Sequence, residues 1–541
     1  MKKKASGKLS VSADELRQIK ARVRERKLED SDYELIVAIL ETVEFLRDAV
    51  QKKTIAVKRL LGMVFGVRTE KTRKVLPGGG GKPPAGSHKP TEQKNRKRKG
   101  HGRNGVDQYW GADRIVIDHQ SLKIGDSCPQ CPKGKLYQTN RPGVLVHFQG
   151  SPPVIATVYE CQSLRCSSCG AVFTAEAPSG VSGKKYDESA GSSIAVLKYG
   201  HGFPFHRLEH LQAHLGIPLP ASTQWELVAQ KASSILPVYE CLMEHAAQGQ
   251  LLHNDDTAMK ILQYLGKRAE KVEDPDSDEA ARTGIFTTGI ISVVEGHRIA
   301  LFFTGKNHAG ENMARVLEKR QEGRPPPLQM CDALSRNLPQ KFKVILCNCL
   351  AHARRRFVEL VEGFPSETEF VLESLKKVYL HDEQAKQQGM RAKQRLEHHQ
   401  KYSRLVMEDL HVWLHEQFEE KKVEPNSSMG EAISYMISHW EPLTRFLRVP
   451  GAPLDNNVAE RALKRAILHR KNSLFYKTQR GAFVGDLYMS LIYTCMLCGS
   501  NPVEYLTELE RHASELAENP DQWLPWNYPD ATTGWKPAVP H

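Results

Sequence analysis

The chain has little of several things that would otherwise decide its class. Eleven cysteines are spread over 541 residues, far below the density of a disulfide-stapled secreted scaffold. No stretch approaches the roughly 18 consecutive apolar residues of a membrane-spanning helix. No apolar run follows the basic start Met1-Lys2-Lys3-Lys4, so no secretory leader is expected. Acidic residues are scarce at one end: residues 1–105 hold 27 Lys and Arg against 12 Asp and Glu. The whole chain carries +13, so everything after residue 105 sums to −2. A basic segment on a near-neutral body points to a polyanion, DNA or RNA. Hydrophobic residues make up 40% of the chain, which at this length supports several packed cores rather than one.

What is present falls into blocks. Ser31 with Glu34 three residues on is a capping-box start, and the helix it opens runs to about Gly66. Ile36, Val43, Val50, Val57 and Val64 would occupy heptad a, with Ile39, Leu46, Lys53 and Leu60 at d. β-Branched a residues with Leu at d favour a parallel two-stranded coiled coil, and one polar d residue fixes register. An amphipathic helix packed on its own domain is the alternative. Residues 77–105 form a Gly/Pro-rich and then basic linker carrying Lys94, Arg96, Lys97, Arg98, Lys99 and Arg103. Such a segment cannot bury apolar surface, and its cations suit phosphates without reading bases. Cys128-Pro-Gln-Cys131 and Cys166-Ser-Ser-Cys169 are two CxxC knuckles. Each places two thiolates on one tetrahedral ion, so together they predict one structural Zn²⁺, with Cys161 able to replace a ligand. Val154–Tyr159 reads as a strand of the same small ribbon. Cys347, Cys349, Cys495 and Cys498 sit in apolar contexts and read as core.

From 184 to 250 the pattern is helical. One helix is expected around Leu208–Leu215, a break at Gly216-Ile217-Pro218, and a second helix capped by Ser222. The pair reads equally as a DNA-binding helix-turn-helix or as a plain helical layer. The period then changes. Leu251–Asp256 is an apolar strand ending in carboxylates, and Ile285–Val294 with Arg298–Phe303 make a hairpin around Glu295-Gly296-His297. A helix follows at about His308–Gln321, then strands at Leu328–Asp332 and Val344–Cys349. Were the first and fourth strands neighbours, Asp255 and Asp332 would converge, and paired carboxylates suit hard cations such as Mg²⁺. A third acid, Glu460, shares a helix face with Asn456 and Asn457. Arg461, Lys464, Arg465, Arg470 and Lys471 give that helix the charge of a phosphate-facing surface. Because side chains alternate along a strand, Asp256 is expected to point away from Asp255.

These segments, in this order, resemble the transposases of the insertion sequence 66 family of bacterial mobile elements. Phe65–Lys71 is similar to the FGxxSEK end of that family's N-terminal helix, Lys97–Arg103 to its basic KGHGR segment, and the paired knuckles to its zinc-binding domain. His253-Asn254-Asp255-Asp256-Thr257 matches its H-x-D-[DE]-T motif, and Ala351–Phe357 its AHARRKF signature. Asp455-Asn456-Asn457 through Leu463, with Arg470–Phe475 following, matches the segment carrying the catalytic Glu. Ser490–Ile492 and Asn501–Leu506 fit its C-terminal end. Two departures stand out: Asp332-Ala333-Leu334-Ser335 replaces the family's D-G-Y-x-G-Y, and Cys349-Leu350-Ala351-His352 replaces CWAH.

The expected organisation is multidomain α+β. An N-terminal coiled-coil helix (1–76), the basic linker (77–105), a small zinc ribbon (106–183) and a helical DNA-binding layer (184–250) precede the core. An RNase H-like α/β catalytic core (251–363 and 446–510) surrounds a helical insertion (364–445), and a tail (511–541) closes the chain. The resemblance implies a DDE triad of Asp255, Asp332 and Glu460 holding two Mg²⁺ about 4 Å apart, which activate water and then a DNA 3′-hydroxyl for in-line displacement. His352, Arg354 and Arg355 would join the linker and Glu460-helix cations on DNA. Implied partners are double-stranded DNA (the element's inverted repeats and its target), a second copy of the chain and accessory proteins of the same element. The implied setting is the bacterial cytoplasm at the nucleoid, with no membrane. Two rival readings share these features: a catalytically inactive or domesticated zinc-containing DNA-binding protein, and an RNase H-like nuclease without strand transfer.

Overall fold

The structure, a computed structural model, describes residues 185–266 and 284–527, position 282, and parts of 19–37, 123–135, 153–165 and 172–175. Most of the expected coiled-coil seam, including Ser31, the linker cations Lys97, Arg98, Lys99 and Arg103, and the knuckle cysteines Cys128, Cys131, Cys166 and Cys169 lie outside the described residues. By contact the chain divides into two units. The first comprises Met1–Pro84, Pro327–Ser335 and Val344–Asn457; the second comprises Ala85–Pro326, Arg336–Lys343 and Val458–His541.

The second unit begins with two short antiparallel strands, β1 (Ser163–Arg165) and β2 (Val172–Thr174), with Leu164 opposite Phe173. The strand expected at Val154–Tyr159 is absent: residues 155–160 are irregular, and Ile155 and Val158 are exposed. β-Branched composition alone does not make a strand where no neighbour supplies the ladder, and the pairing is made further along. Four helices follow: α1 (Glu188–Ala195), α2 (Phe205–His214), α3 (Ala221–Ser234) and α4 (Leu236–Ala247). Asp187 caps α1, accepting from Ala190 N, and α1 runs on into a π-helical turn, Val196–Gly200. α3 starts directly after Pro220, so Ser222 is its second residue and not its cap. Proline fixes the start here, and no side chain is used. α3 buries Gln224, Val228, Ala229 and Ala232, the inward face of a helical layer.

Strands β3 (Leu251–Ala258), β4 (Phe286–Val294) and β5 (His297–Gly305) form an antiparallel meander with β4 in the middle. Glu295 (φ 49°) and Gly296 (φ 90°) make its two-residue turn, the paired left-handed geometry whose twist matches the flanking strands. β3 continues two residues past the expected end at Asp256. α5 (Ala309–Leu317) follows, its N-terminus closed by a reciprocal box between His308 and Glu311.

In the first unit, β6 (Leu328–Cys331) and β7 (Ile345–Asn348) pair in parallel, Leu328 opposite Ile345. Strand pairing in the chain is therefore mixed. The helices of this unit are α6 (Leu350–Val358), α7 (Pro365–Gln387), α8 (Ala392–Tyr402), α9 (Arg404–Glu419), α10 (Ser428–Ser438) and the single turn α11 (Trp440–Leu443). α7 and α8 are joined by a buried polar knot in which Asp382 meets Arg395, His399 and Lys386. Burial works to raise the Asp382 carboxyl, but these partners outweigh it and hold it well below the usual range.

α12 (Asn457–Ser473), α13 (Gln479–Cys498), α14 (Pro502–Arg511), α15 (Ala513–Leu516) and a 3₁₀ turn, Pro520–Trp523, complete the second unit. Among the described residues α13 is the one helix long and apolar enough, by length and composition, to cross a membrane. Counting uninterrupted apolar residues missed it because Asp486, Ser490 and Thr494 break the run. Those three residues are what fit it to a protein interior. Every second amide on the free edge of β5 donates to one of them: Ala300 N to Thr494 Oγ1 (3.0 Å), Phe302 N to Ser490 Oγ (2.9 Å) and Thr304 N to Asp486 Oδ2 (2.6 Å). The four-residue helical spacing (about 6 Å) matches two strand residues (about 6.6 Å) closely enough for three consecutive bonds.

Candidate active site

The two adjacent carboxylates of β3 diverge. Asp255 Oδ1 accepts from Asp256 N at 2.8 Å, whereas the Asp256 carboxylate, 3% exposed, meets His308 Nδ1 at 3.2 Å and Arg336 Nη2 at 3.3 Å. Thr288 lies opposite Asp256 in the ladder and accepts from Asn312 Nδ2 at 2.8 Å. Helix α5 therefore covers the face to which Asp256 points. α4 covers the same face further along, where Ser292 Oγ donates to Ala246 O at 2.7 Å. Nothing in the sequence marked His308, Asn312 or Arg336. The sequence placed a helix at about His308–Gln321 but gave no sign of the strand it lies on or of these contacts.

The opposite face carries Asp255, and there α12 takes the place of α5. Gly289 is the ladder partner of Asp255. A Cβ at Gly289 would lie 3.1 Å from Leu463 Cδ2 and 3.2 Å from its Cγ, so α12 approaches β4 as closely as a glycine permits. Glu460 stands one turn before Leu463, on the flank of the buried stripe Ala459, Ala462, Leu463, Ala466 and His469. Arg470 Nη1 donates to Thr257 Oγ1 at 3.2 Å and to Ala258 O. The helix that carries Glu460 thus packs on the side of the antiparallel sheet that bears Asp255.

The far half of α12 is held by the turn after α1. Arg465 donates to Gly200 O (2.9 Å), Asn472 to Gly202 O (3.0 Å) and Lys198 Nζ to Ser473 Oγ (2.7 Å). Burial lowers the Lys198 ammonium to about 8. His469 lies in a buried stack between Tyr199 and Tyr476, at ring separations of 6.1 and 4.5 Å, and burial with the Lys198 charge lowers it to about 3. Arg465 also lies 4.6 Å over the Tyr493 ring, so its cation is committed inward. Arg461, Lys464 and Lys471 are exposed, and Arg470 is half-buried.

In the first unit, Asp332 directly follows β6 and is half-buried, its carbonyl accepting from Leu334 N at 2.8 Å. Cys349 precedes α6, and its Sγ accepts from Asn456 N at 3.2 Å. Leu350 N donates to Leu454 O at 2.9 Å. The loop before Glu460, Asp455-Asn456-Asn457, is thereby tied to the start of α6. His352, Arg354 and Arg355 on α6 are half-buried, and Arg356 lies 4.0 Å over the Tyr435 ring. Burial pushes the thiols of Cys347 and Cys349 up to about 12 and about 11. Cys347, Cys349 and Cys495 are buried and Cys498 nearly so. Among the described residues, ligand-type side chains gather around Cys349 and His352 and around Cys241, His245 and Asp521.

The family model described as "Transposase IS66 family" matches residues 183–483, more than half of the chain and the whole span from Asp255 to Glu460. Two proteins of Sinorhizobium fredii (strain NBRC 101917 / NGR234) are similar over most of their length. "Uncharacterized protein y4hP" is 26% identical over 400 residues, covering 70% of this chain and 69% of that protein. "Uncharacterized protein y4jD" is 27% identical over 379 residues, covering 67% and 70%. The mixed strand pairing, in a chain order of three antiparallel strands, a helix and a parallel pair, is consistent with an RNase H-like core, and the family match fixes what that core serves. The chain belongs to the IS66 transposase family, metal-dependent enzymes of the DDE type that move DNA.

Proposed function

We propose that this chain cuts the ends of a bacterial insertion sequence and joins their 3′-hydroxyls to target DNA, with Asp255, Asp332 and Glu460 as the metal-binding triad. The observation that carries the reading is the packing of Leu463 on Gly289, which brings the helix of Glu460 onto the face of the sheet that bears Asp255. Three carboxylates form an all-oxygen donor set, which fits Mg²⁺ and disfavours softer ions. When bound, two such ions supply activation of the attacking oxygen and charge stabilisation at the leaving oxygen. The protein's part is to hold the carboxylates rigid. Asp255 is fixed in a strand, and Glu460 rides a helix pinned by Arg470, Asn472 and Lys198. Exposed Arg461, Lys464 and Lys471 offer phosphate contacts along that helix, as do His352, Arg354 and Arg355 on α6 and the linker residues Lys97, Arg98, Lys99 and Arg103.

The zinc ribbon remains part of the proposal. The pairing of Ser127 with Lys135 brackets Cys128 and Cys131, and β1–β2 brackets Cys166 and Cys169, the antiparallel surroundings expected of two knuckles on one Zn²⁺. Residues 31–66 would pair two chains so that both element ends are held together, and residues 364–445 would form an insertion in the core. The setting would be the bacterial cytoplasm, at the nucleoid.

Asp255→Asn, Asp332→Asn and Glu460→Gln each remove a charge with little change of shape. Each should lose DNA-end cleavage by orders of magnitude while retaining DNA binding. Asp256→Asn should keep cleavage and lose about 1–3 kcal/mol of stability through its pairing with His308 and Arg336. Cleavage that survives Asp255→Asn but not Asp256→Asn would reject the assignment of β3.

A further inference from the structure

Away from the triad, α4 and the C-terminal 3₁₀ turn bring together three side chains that the transposition chemistry leaves unused. Cys241 and His245 are four residues apart on α4, hence on one face, and Asp521 reaches them from Pro520–Trp523. One donor atom of each lies within 4.8 Å of the other two, and His245 Nε2 is 2.6 Å from Asp521 Oδ1. We propose that Cys241, His245 and Asp521 form a second zinc site, separate from the cysteine knuckles, that clips the C-terminal turn onto α4.

The donor set argues for the ion. One sulfur, one imidazole nitrogen and one carboxylate oxygen suit Zn²⁺ and not Mg²⁺ or Ca²⁺, which take oxygen alone. Tetrahedral bonds of about 2.3 Å to sulfur and about 2.0–2.1 Å to nitrogen and oxygen place donors roughly 3.3–3.6 Å apart. The present spacings reach that with small rotations of His245 and Asp521, whose side chains are 36% and 61% exposed. Cys241 is the buried anchor. Support around the ligands is in place. Trp526 meets the His245 ring edge-on at 5.7 Å and stacks on His297 at 4.9 Å, walling one side. Asn527 Nδ2 donates to Asp521 O at 2.8 Å, holding the ligand turn. Such outer partners orient ligands before the metal arrives. Three protein ligands leave the fourth position to water, on the side where Asp521 is open to solvent.

The test uses the full chain, stripped with chelator and reloaded with Zn²⁺ or with Co²⁺ as a spectroscopic probe. Wild type is compared with Cys241→Ser, His245→Gln and Asp521→Asn. The knuckle cysteines are common to all four proteins and cancel in the comparison. Wild type should bind one more equivalent of Zn²⁺ than Cys241→Ser and show a stronger Co²⁺–thiolate absorption. His245→Gln and Asp521→Asn should weaken that equivalent by more than the roughly 10–100-fold that loss of an outer partner costs. Should Cys241→Ser fail to fold, the two solvent-reaching variants decide alone. Equal zinc content and equal Co²⁺ spectra across the folded proteins would overturn the proposal.

Discussion

Asp486 shows how much one buried carboxyl can say about this protein. It lies in the interior of α13, accepting from both the amide and the hydroxyl of Thr304, and burial raises it from 3.8 to about 7. The unfolded chain ionises this group near pH 4, while the folded chain keeps the proton until about pH 7. Its contribution is therefore most favourable below pH 4, declines as pH rises from 4 to 7, and is level above. At about 1.4 kcal/mol per unit, the swing is roughly 4 kcal/mol at most. Asp486→Asn keeps an acceptor and cannot ionise, so its melting temperature relative to wild type should climb between pH 4 and pH 8. Parallel pH profiles for the two proteins would contradict the raised carboxyl. At this scale the sequence was legible where a motif named a residue and silent where tertiary partners decided its role. Asp255 and Glu460 stand out by motif and spacing. Asp256 was expected to face away, but its partners His308 and Arg336 come from segments with no pattern of their own. Arg465 looked like one more phosphate cation. Its place beside Ala462, Ala466 and His469 turns it inward to Gly200 and Tyr493, a distinction that charge counting does not make.

Among the elements, the hairpin β4–β5 was the most legible, because Glu295-Gly296 stands between two apolar runs, although the turn takes only two residues and His297, expected within it, opens β5. Helix and strand ends were less so. β3 outran its carboxylates and the expected strand at Val154–Tyr159 did not form because pairing partners set those boundaries, whereas α3 began directly after Pro220, ahead of Ser222, because the proline fixes its start. The contact least visible in the sequence is the one that seats α12. Gly289 reads as an interruption in a strand, yet it is where Leu463 lands. Gly289→Ala should push α12 off the sheet by a few tenths of an ångström, costing about 1–3 kcal/mol as overpacking does, with cleavage falling more than DNA binding. Leu463→Ala in the same chain should recover part of the loss. Independent, additive effects of the two substitutions would mean that this seat does not position Glu460.

For the whole molecule, charge is the most readable property. If residues 77–105 track the DNA backbone, deleting residues 94–103 of that segment removes six Lys and Arg. The logarithmic salt dependence of binding should then flatten by up to about 5, at roughly 0.9 per phosphate neutralised. An unchanged slope would assign DNA affinity to the folded units instead. The division of the chain into two contact units was not legible, since each is stitched from three separate stretches and sequence order gives no hint of such interleaving. The sealed edge of β5 has a consequence for how such a molecule assembles and breathes. An open strand edge invites a strand from another chain, but here the outward amides of Ala300, Phe302 and Thr304 are already taken by side chains of α13. Those three positions of the β5 edge therefore offer no open amide to a strand from another chain. The same three amides should trade their protons for deuterium as slowly as those of the central strand β4, so that a strand at the margin keeps time with the core.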